Sequence, residues 1–329
     1  MSDGMKTQPL TTISTMDRIN TSTLMMVTPE FPRLKRLRAE SGYQASKPTF
    51  PTLYPLPLKS VKLNGTTIRY AHSPAEGKPT LVLLCPLPQS IQAYAPIWEG
   101  LAEHTNLFAY DLPGFGHSEG GKEYMNFKAQ GEFLGTFIEH FKIEDAHLLG
   151  PDIGMPTILY HVGSNNGNTN NVKSILVGDG PAIEPSSNGS IIDKMVYSAF
   201  WRGIMTIAGG GALVEAGNRV GYINYVPNTA EISDYKNAYS KRMSTILEWF
   251  KGYPKSLAQV DPLLKHIQTP TLIFWGEDDE LLKLDNAQRL HERLSNSTLH
   301  VFSHCGHFSY QDAYEEFQKM VLDWIKDHP

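Results

Sequence analysis

Thiol chemistry is nearly absent from this chain: 329 residues contain two cysteines, Cys85 and Cys305. They lie far apart with no C-x-x-C spacing, which argues against a disulfide framework and against a zinc site. Long apolar runs are missing too. No stretch approaches the roughly 18 residues needed to span a bilayer, and Met1 to Phe50 lacks the compact apolar segment of a signal peptide. A cytoplasmic location is the default expectation. Charge of one sign is equally scarce, with 29 Lys and Arg against 34 Asp and Glu, a net −5 and a pI near 6.2. Without a basic footprint across the chain or a charged tail, nucleic acid is not an expected partner. A small neutral molecule fits better, a homodimer is left open, and neither metal nor cofactor is called for.

What is present is globular: 41 % hydrophobic and 19 % charged residues, in a chain long enough for one large α/β domain with an insertion. Residues 1–50 are rich in Thr, Ser, Met and Pro, with a small basic patch at Arg33-Leu-Lys35-Arg36-Leu-Arg38. They show no sustained period and read as an extension, partly disordered. Val61 to Tyr70 alternates around Asn64-Gly65, a hairpin signal. Pro79 to Leu84 is a short continuous apolar run of the kind buried on both faces of a parallel sheet. Further strands are expected at 107–110, 147–150, 174–178, 271–275 and 298–302, with helices at about 126–141 and 314–326. The βαβ spacing predicts an α/β fold, a mostly parallel sheet flanked by helices. Residues 184–262 break that rhythm with helical stretches at 195–207, 214–225 and 232–251. They read as a helical cap over the sheet's carboxyl edge, the core being 51–183 and 263–329.

The chemistry centres on Gly150-Pro-Asp152-Ile-Gly154, read as a strand, a sharp turn and a helix. Glycines two before and two after a turn residue let its side chain stand clear of the backbone, which is the logic of the nucleophile elbow G-x-S-x-G. Here the central residue is a carboxylate. A carboxylate needs no base at neutral pH; it can attack carbon directly and leave an ester for water to cleave. A histidine would then draw a proton from that water while an acid fixes its tautomer. Both stand at strand ends: Gly276-Glu-Asp278-Asp279 and His304-Cys-Gly306-His307-Phe308. The order nucleophile, acid, histidine is that of α/β hydrolases.

Residues from about 58 to 329 resemble the α/β-hydrolase superfamily, within it the branch of epoxide hydrolases and haloalkane dehalogenases that uses an aspartate nucleophile. Asp111-Leu-Pro-Gly-Phe-Gly-His-Ser118 is similar to its D-x-P-G-x-G-x-S loop, Gly150 to Gly154 to its G-H-D-x-G elbow, and Trp275 to Asp279 with Gly306-His307-Phe308 to its acid and histidine motifs. The resemblance implies Asp152 as nucleophile, His307 as base and Asp279 as acid, with Asp278 and Asp179 as fallback acids. It implies an oxyanion hole from the backbone N–H groups of Leu87 and Ile153. The family's H-G-x-P is Cys85-Pro86-Leu87-Pro88 here, and a proline holds φ near about −65°, so the loop path can differ. Tyr197 falls at the position of one epoxide-opening hydroxyl and Phe250 at the other; Trp249, Tyr253 and Tyr239 are further candidates around the substrate. The function implied first is opening of a small apolar epoxide through an Asp ester. Dehalogenation of a haloalkane or haloacid is the second, and a non-catalytic, ligand-binding descendant the third.

Overall fold

The computed structural model describes residues 31–164, 171–181 and 191–329. The first thirty residues of the expected extension, and residues 184–190 at the start of the expected cap, lie outside these. In chain order the elements are α1 (Phe31–Ser41), β1 (Leu58–Leu63), β2 (Thr66–Ser73), β3 (Thr80–Leu84), α2 (Ala95–Ala102), β4 (Asn106–Tyr110), α3 (Phe127–His140), β5 (Ala146–Pro151), α4 (Gly154–Ser164) and β6 (Val172–Gly178). Then follow α5 (Ile191–Tyr197), α6 (Ala199–Gly221), α7 (Thr229–Tyr239), α8 (Met243–Val260), β7 (Thr271–Gly276), α9 (Asp285–Arg293), β8 (Ser297–Phe302), α10 (Ser309–Asp312) and α11 (Tyr314–Asp327).

The eight strands form one sheet in the order β1-β2-β4-β3-β5-β6-β7-β8. The β1–β2 and β2–β4 pairs are antiparallel, and every pair from β4 onward is parallel. Asn64 and Gly65 both adopt positive φ, as a two-residue hairpin turn that follows the strand twist requires. Strand β3 lies between two others with Leu81 to Leu84 fully buried, which is why it reads as an unbroken apolar run rather than an alternation.

The helices α5 to α8 lie over the carboxyl ends of the strands. Gly209 breaks α6 with φ 84°, a conformation that glycine adopts at little cost. Helix α7 begins with a capping box in which Asn228 and Glu231 satisfy each other's backbone N–H groups. The seam below α6 and α7 is polar and buried. Gln89 Nε2 donates to Tyr222 Oη at 2.6 Å and to Asn218 and Gln311 at 3.2 Å, while Tyr310 Oη donates to Gln89 Oε1. Asp234 of α7 accepts from Arg69 at 3.0 Å and from His117 at 3.0 Å. Both groups join helices 199–239 to loops that leave the sheet, so the cavity below has a fixed roof.

The extension departs from expectation. Residues 31–41, in which no period was recognised, form helix α1. Leu34 is fully buried with Val220, Ile223 and Leu281, a contact that contributes roughly 1.5–3 kcal/mol.

Candidate active site

Strand β5 delivers Asp152 at its carboxyl end with φ 50°, a left-handed conformation uncommon for a non-glycine residue. The neighbouring glycines are sterically required. A Cβ on Gly150 would lie 2.6 Å from the backbone of Gly154, and one on Gly154 would lie 3.1 Å from Leu84 Cβ. Asp152 Oδ2 accepts from the backbone N–H of Leu87 at 2.7 Å. The loop Cys85-Pro86-Leu87-Pro88 therefore still directs an N–H at the carboxylate despite the proline. Burial pushes the Asp152 carboxyl up to about 6, opposed by His307 and by the N–H groups of Leu87 and Ile153.

His307 follows β8. Its Nδ1 lies 2.8 Å from Asp279 Oδ2, and its Nε2 lies 3.9 Å from Asp152 Oδ1. Asp279 Oδ1 accepts from the N–H groups of Leu281 and Leu282 at 2.8 and 2.9 Å, so both of its oxygens are committed. Burial works against the imidazolium, but Asp279, Asp152 and Asp179 together lift His307 to about 9. At neutral pH the pair is thus a carboxylate facing an imidazolium. The gap of 3.9 Å is too long for a hydrogen bond.

Asp279, expected to be the acid, and the fallbacks Asp278 and Asp179 are separated by their partners. Asp179 accepts from Gly276 N–H at 3.0 Å and from the Ser309 hydroxyl and N–H, pinning β7 to the turn after His307. Asp278 pairs with Arg33 at 2.6 Å. Only Asp279, of the three, touches the imidazole.

Asp152 and His307 open into a narrow cavity of about 80 Å³, walled by Leu87, Pro88 and Ile153 below and by Met195, Met205, Leu213, Trp249 and Phe250 above. Tyr253 lines it as well, and its buried hydroxyl has no hydrogen-bond partner among the described residues. Trp249, held edge-on between Phe115 and Phe127 at 5.0 and 4.8 Å, is on the same wall, and no partner is found for its Nε1–H among the described residues. Among the described residues no Lys or Arg lines the space.

Two of the expected substrate contacts are corrected. Tyr197 ends α5 with 59 % of its surface exposed and is not among the lining residues, so a buried proton donor it is not. Tyr239 is buried, but its hydroxyl donates to Gln89 O at 2.8 Å and accepts from Gly116 N–H at 3.1 Å; it braces the loops instead of reaching the cavity. Arg33 was missed altogether. Its signal was the run Glu277-Asp278-Asp279-Glu280, four consecutive carboxylates that need a cation from somewhere.

A family model described as Serine aminopeptidase, S33 matches residues 76–313. The chain belongs to that family, within the α/β-hydrolase superfamily. The chain is 24 % identical over 239 residues to a 2-hydroxy-6-oxononadienedioate/2-hydroxy-6-oxononatrienedioate hydrolase of Cupriavidus pinatubonensis, covering 68 % of this chain and 78 % of the relative. A namesake from Pseudomonas putida is 34 % identical over 86 residues, 26 % of this chain and 30 % of the relative. In the first matched relatives the hydrolase spans only about a quarter to a third of their length. Among solved structures, a haloalkane dehalogenase from Bradyrhizobium elkani superposes with a TM-score of 0.71 at 18 % identity, covering 83 % of this chain and 98 % of that one; this establishes the shared fold. The hydrolase departs from the serine in its family's description, because Asp152 occupies the centre of the elbow. No helix among the described residues is long and apolar enough to cross a membrane.

Proposed function

We propose that this hydrolase opens a small, uncharged, apolar epoxide through a covalent ester on Asp152. The observation that carries the reading is the seat of the Asp152 carboxylate, with Oδ2 on the Leu87 N–H and Oδ1 3.9 Å from His307 Nε2. A serine nucleophile would need its base within hydrogen-bond reach to lose a proton. A carboxylate does not, and the gap suits a base that works on water. Oδ1 attacks a ring carbon, the C–O bond breaks, and its electron pair stays on oxygen, which takes the proton of Tyr253. Asp152 is then neutral. With that charge gone His307 no longer holds its proton, which passes through solvent to the Tyr253 phenolate, and the neutral imidazole becomes the base for the second step.

Water now attacks Cγ of the ester, His307 takes its proton, and the developing oxyanion rests on the N–H groups of Leu87 and Ile153. The alkoxide leaves as the tetrahedral adduct collapses, taking the proton back from His307. The acid proton of Asp152 then returns to His307, restoring the carboxylate and the imidazolium, so the sum is epoxide plus water giving a diol. Asp279 keeps the imidazole proton on Nδ1 throughout.

The apolar walls, and the lack of a lining cation among the described residues, disfavour the dicarboxylates named for the dienedioate hydrolases. One observation favours a second reading, release of halide from a haloalkane: the unpartnered indole N–H of Trp249 on the cavity wall. Intact-mass analysis of the His307→Gln protein separates the two. An epoxide adds its whole mass to Asp152, whereas a haloalkane adds its mass less that of HX. Absence of any adduct across both panels overturns the Asp-ester reading.

A further inference from the structure

Helix α1 lies outside residues 76–313, the span matched by the family model, yet it grips the acid loop on both sides of Asp279. Arg33 Nη2 reaches Asp278 Oδ1 at 2.6 Å, and its Nη1 reaches Glu280 Oε1. One guanidinium thereby bridges the residues immediately before and after Asp279. The next residue, Leu281, supplies an N–H to Asp279 Oδ1 and packs against Leu34. The other end of the helix is fastened to the roof of the cavity. Arg38 donates to the carbonyl of Tyr222 at 2.6 and 2.8 Å and to that of Arg219, satisfying acceptors left open at the end of α6. Ser41 Oγ donates to Ile223 O at 3.0 Å. Val220, between those anchors, lines the cavity.

We propose that Arg33 is a positioning residue for Asp279, and that α1 is a strap holding the acid loop in register with the helical roof. The inference rests on Asp279 being the acid that orients His307. Physically, residues 277–280 carry four carboxylates in succession, and the side chains of Asp278, Asp279 and Glu280 are largely withdrawn from water. Their mutual repulsion would rotate the loop outward unless cations oppose it. The charged groups that face Asp278 are Arg33, Glu277, His304 and Glu280, and Lys283 pairs with Glu280 alone. Arg33 is the cation that spans both flanks, and its planar fork suits two carboxylates where a lysine reaches one at a time.

The test compares the wild type with Arg33→Ala and Arg33→Lys. On a substrate that labels Asp152, the ester should form at a rate within about twofold of wild type in Arg33→Ala, while its cleavage slows tenfold or more. Arg33→Lys should recover part of the loss. Independently of any substrate, the far-downfield Nδ1–H proton resonance of the His307–Asp279 pair, assigned by its loss in His307→Gln, should weaken or move in Arg33→Ala. Cleavage and resonance both unchanged overturn the proposal, as does an equal fall in ester formation and cleavage, which would report general loosening. If wild type forms no ester, the function proposed above fails, and the resonance alone decides the role of Arg33. Should Arg33→Ala fail to fold, Arg33→Gln keeps the aliphatic stem without the charge and carries the same comparison.

Discussion

Replacing Asp279 by Asn should divide the reaction at its midpoint. The Oδ1 of Asp279 is held by two backbone donors, Leu281 and Leu282, at 2.8 and 2.9 Å. An Asn side chain keeps its carbonyl oxygen on those N–H groups and turns its NH2 toward His307 Nδ1, 2.8 Å away. Two donors cannot face each other, so the imidazole must carry its proton on Nε2, the nitrogen aimed at the cavity. It can then no longer accept a proton from water. A tautomer reversal of this kind costs about 10⁴ in rate, or roughly 5.5 kcal/mol on the barrier to ester cleavage. Attack by Asp152 needs no base and should change by less than about tenfold at pH 8, where the carboxyl, held near 6, remains ionised. Rapid mixing with acid quench and intact-mass detection should show one equivalent of ester formed quickly and then almost no turnover. Steady turnover within tenfold of wild type would refute the assignment of Asp279. Ester formation falling as steeply as cleavage would refute the self-sufficient nucleophile, since His307 would then be acting on Asp152.

Because burial raises Asp152 to about 6, ester formation should be constant above that value and fall tenfold per pH unit below it. A single-turnover pH profile with no acid limb between pH 5 and 7 contradicts this. Tyr253→Phe should lower epoxide turnover by about 10²–10⁴, the range for a lost general acid, while Tyr197→Phe, at an exposed position, leaves it within twofold; product assays on the pair decide between them. Gly150→Ala places a methyl 2.6 Å from the Gly154 backbone and should cost about 1–3 kcal/mol, read as a lower midpoint in urea denaturation.

The parts of the site legible in the sequence are those dictated by short-range sterics. Gly150 and Gly154 are needed at fixed offsets from Asp152, and Leu81 to Leu84 must be apolar throughout because strands flank β3 on both sides. The resemblance ranked Asp279 ahead of Asp278 and Asp179, but the residues alone gave no physical reason for that order. All three follow strands, and only the direction of each carboxylate, set by Ser309, Arg33 and Leu281, distinguishes them. Among the helices after β6, Tyr197 ends α5 at an exposed position, whereas Trp249, Phe250 and Tyr253 sit at i, i+1 and i+4 of α8 and share the face that meets the cavity. Arg33 lay beyond any local reading, since its partner Asp278 is 245 positions away and no periodicity links the two.

On the proposed reading, the Asp152 carboxylate, which already accepts from the Leu87 N–H, also governs which reagents can report on this protein. Organophosphorus and sulfonyl fluoride probes label hydrolases by phosphorylating or sulfonylating a hydroxyl while their oxygen takes the place of a substrate carbonyl. Here the elbow offers no hydroxyl, and the Leu87 N–H is already engaged by Asp152 Oδ2. Such probes should pass over the protein in a cell extract however active it is, even though its family is described by a serine. Alkylating electrophiles, which leave their mark on a carboxylate, are the chemistry by which it would be detected.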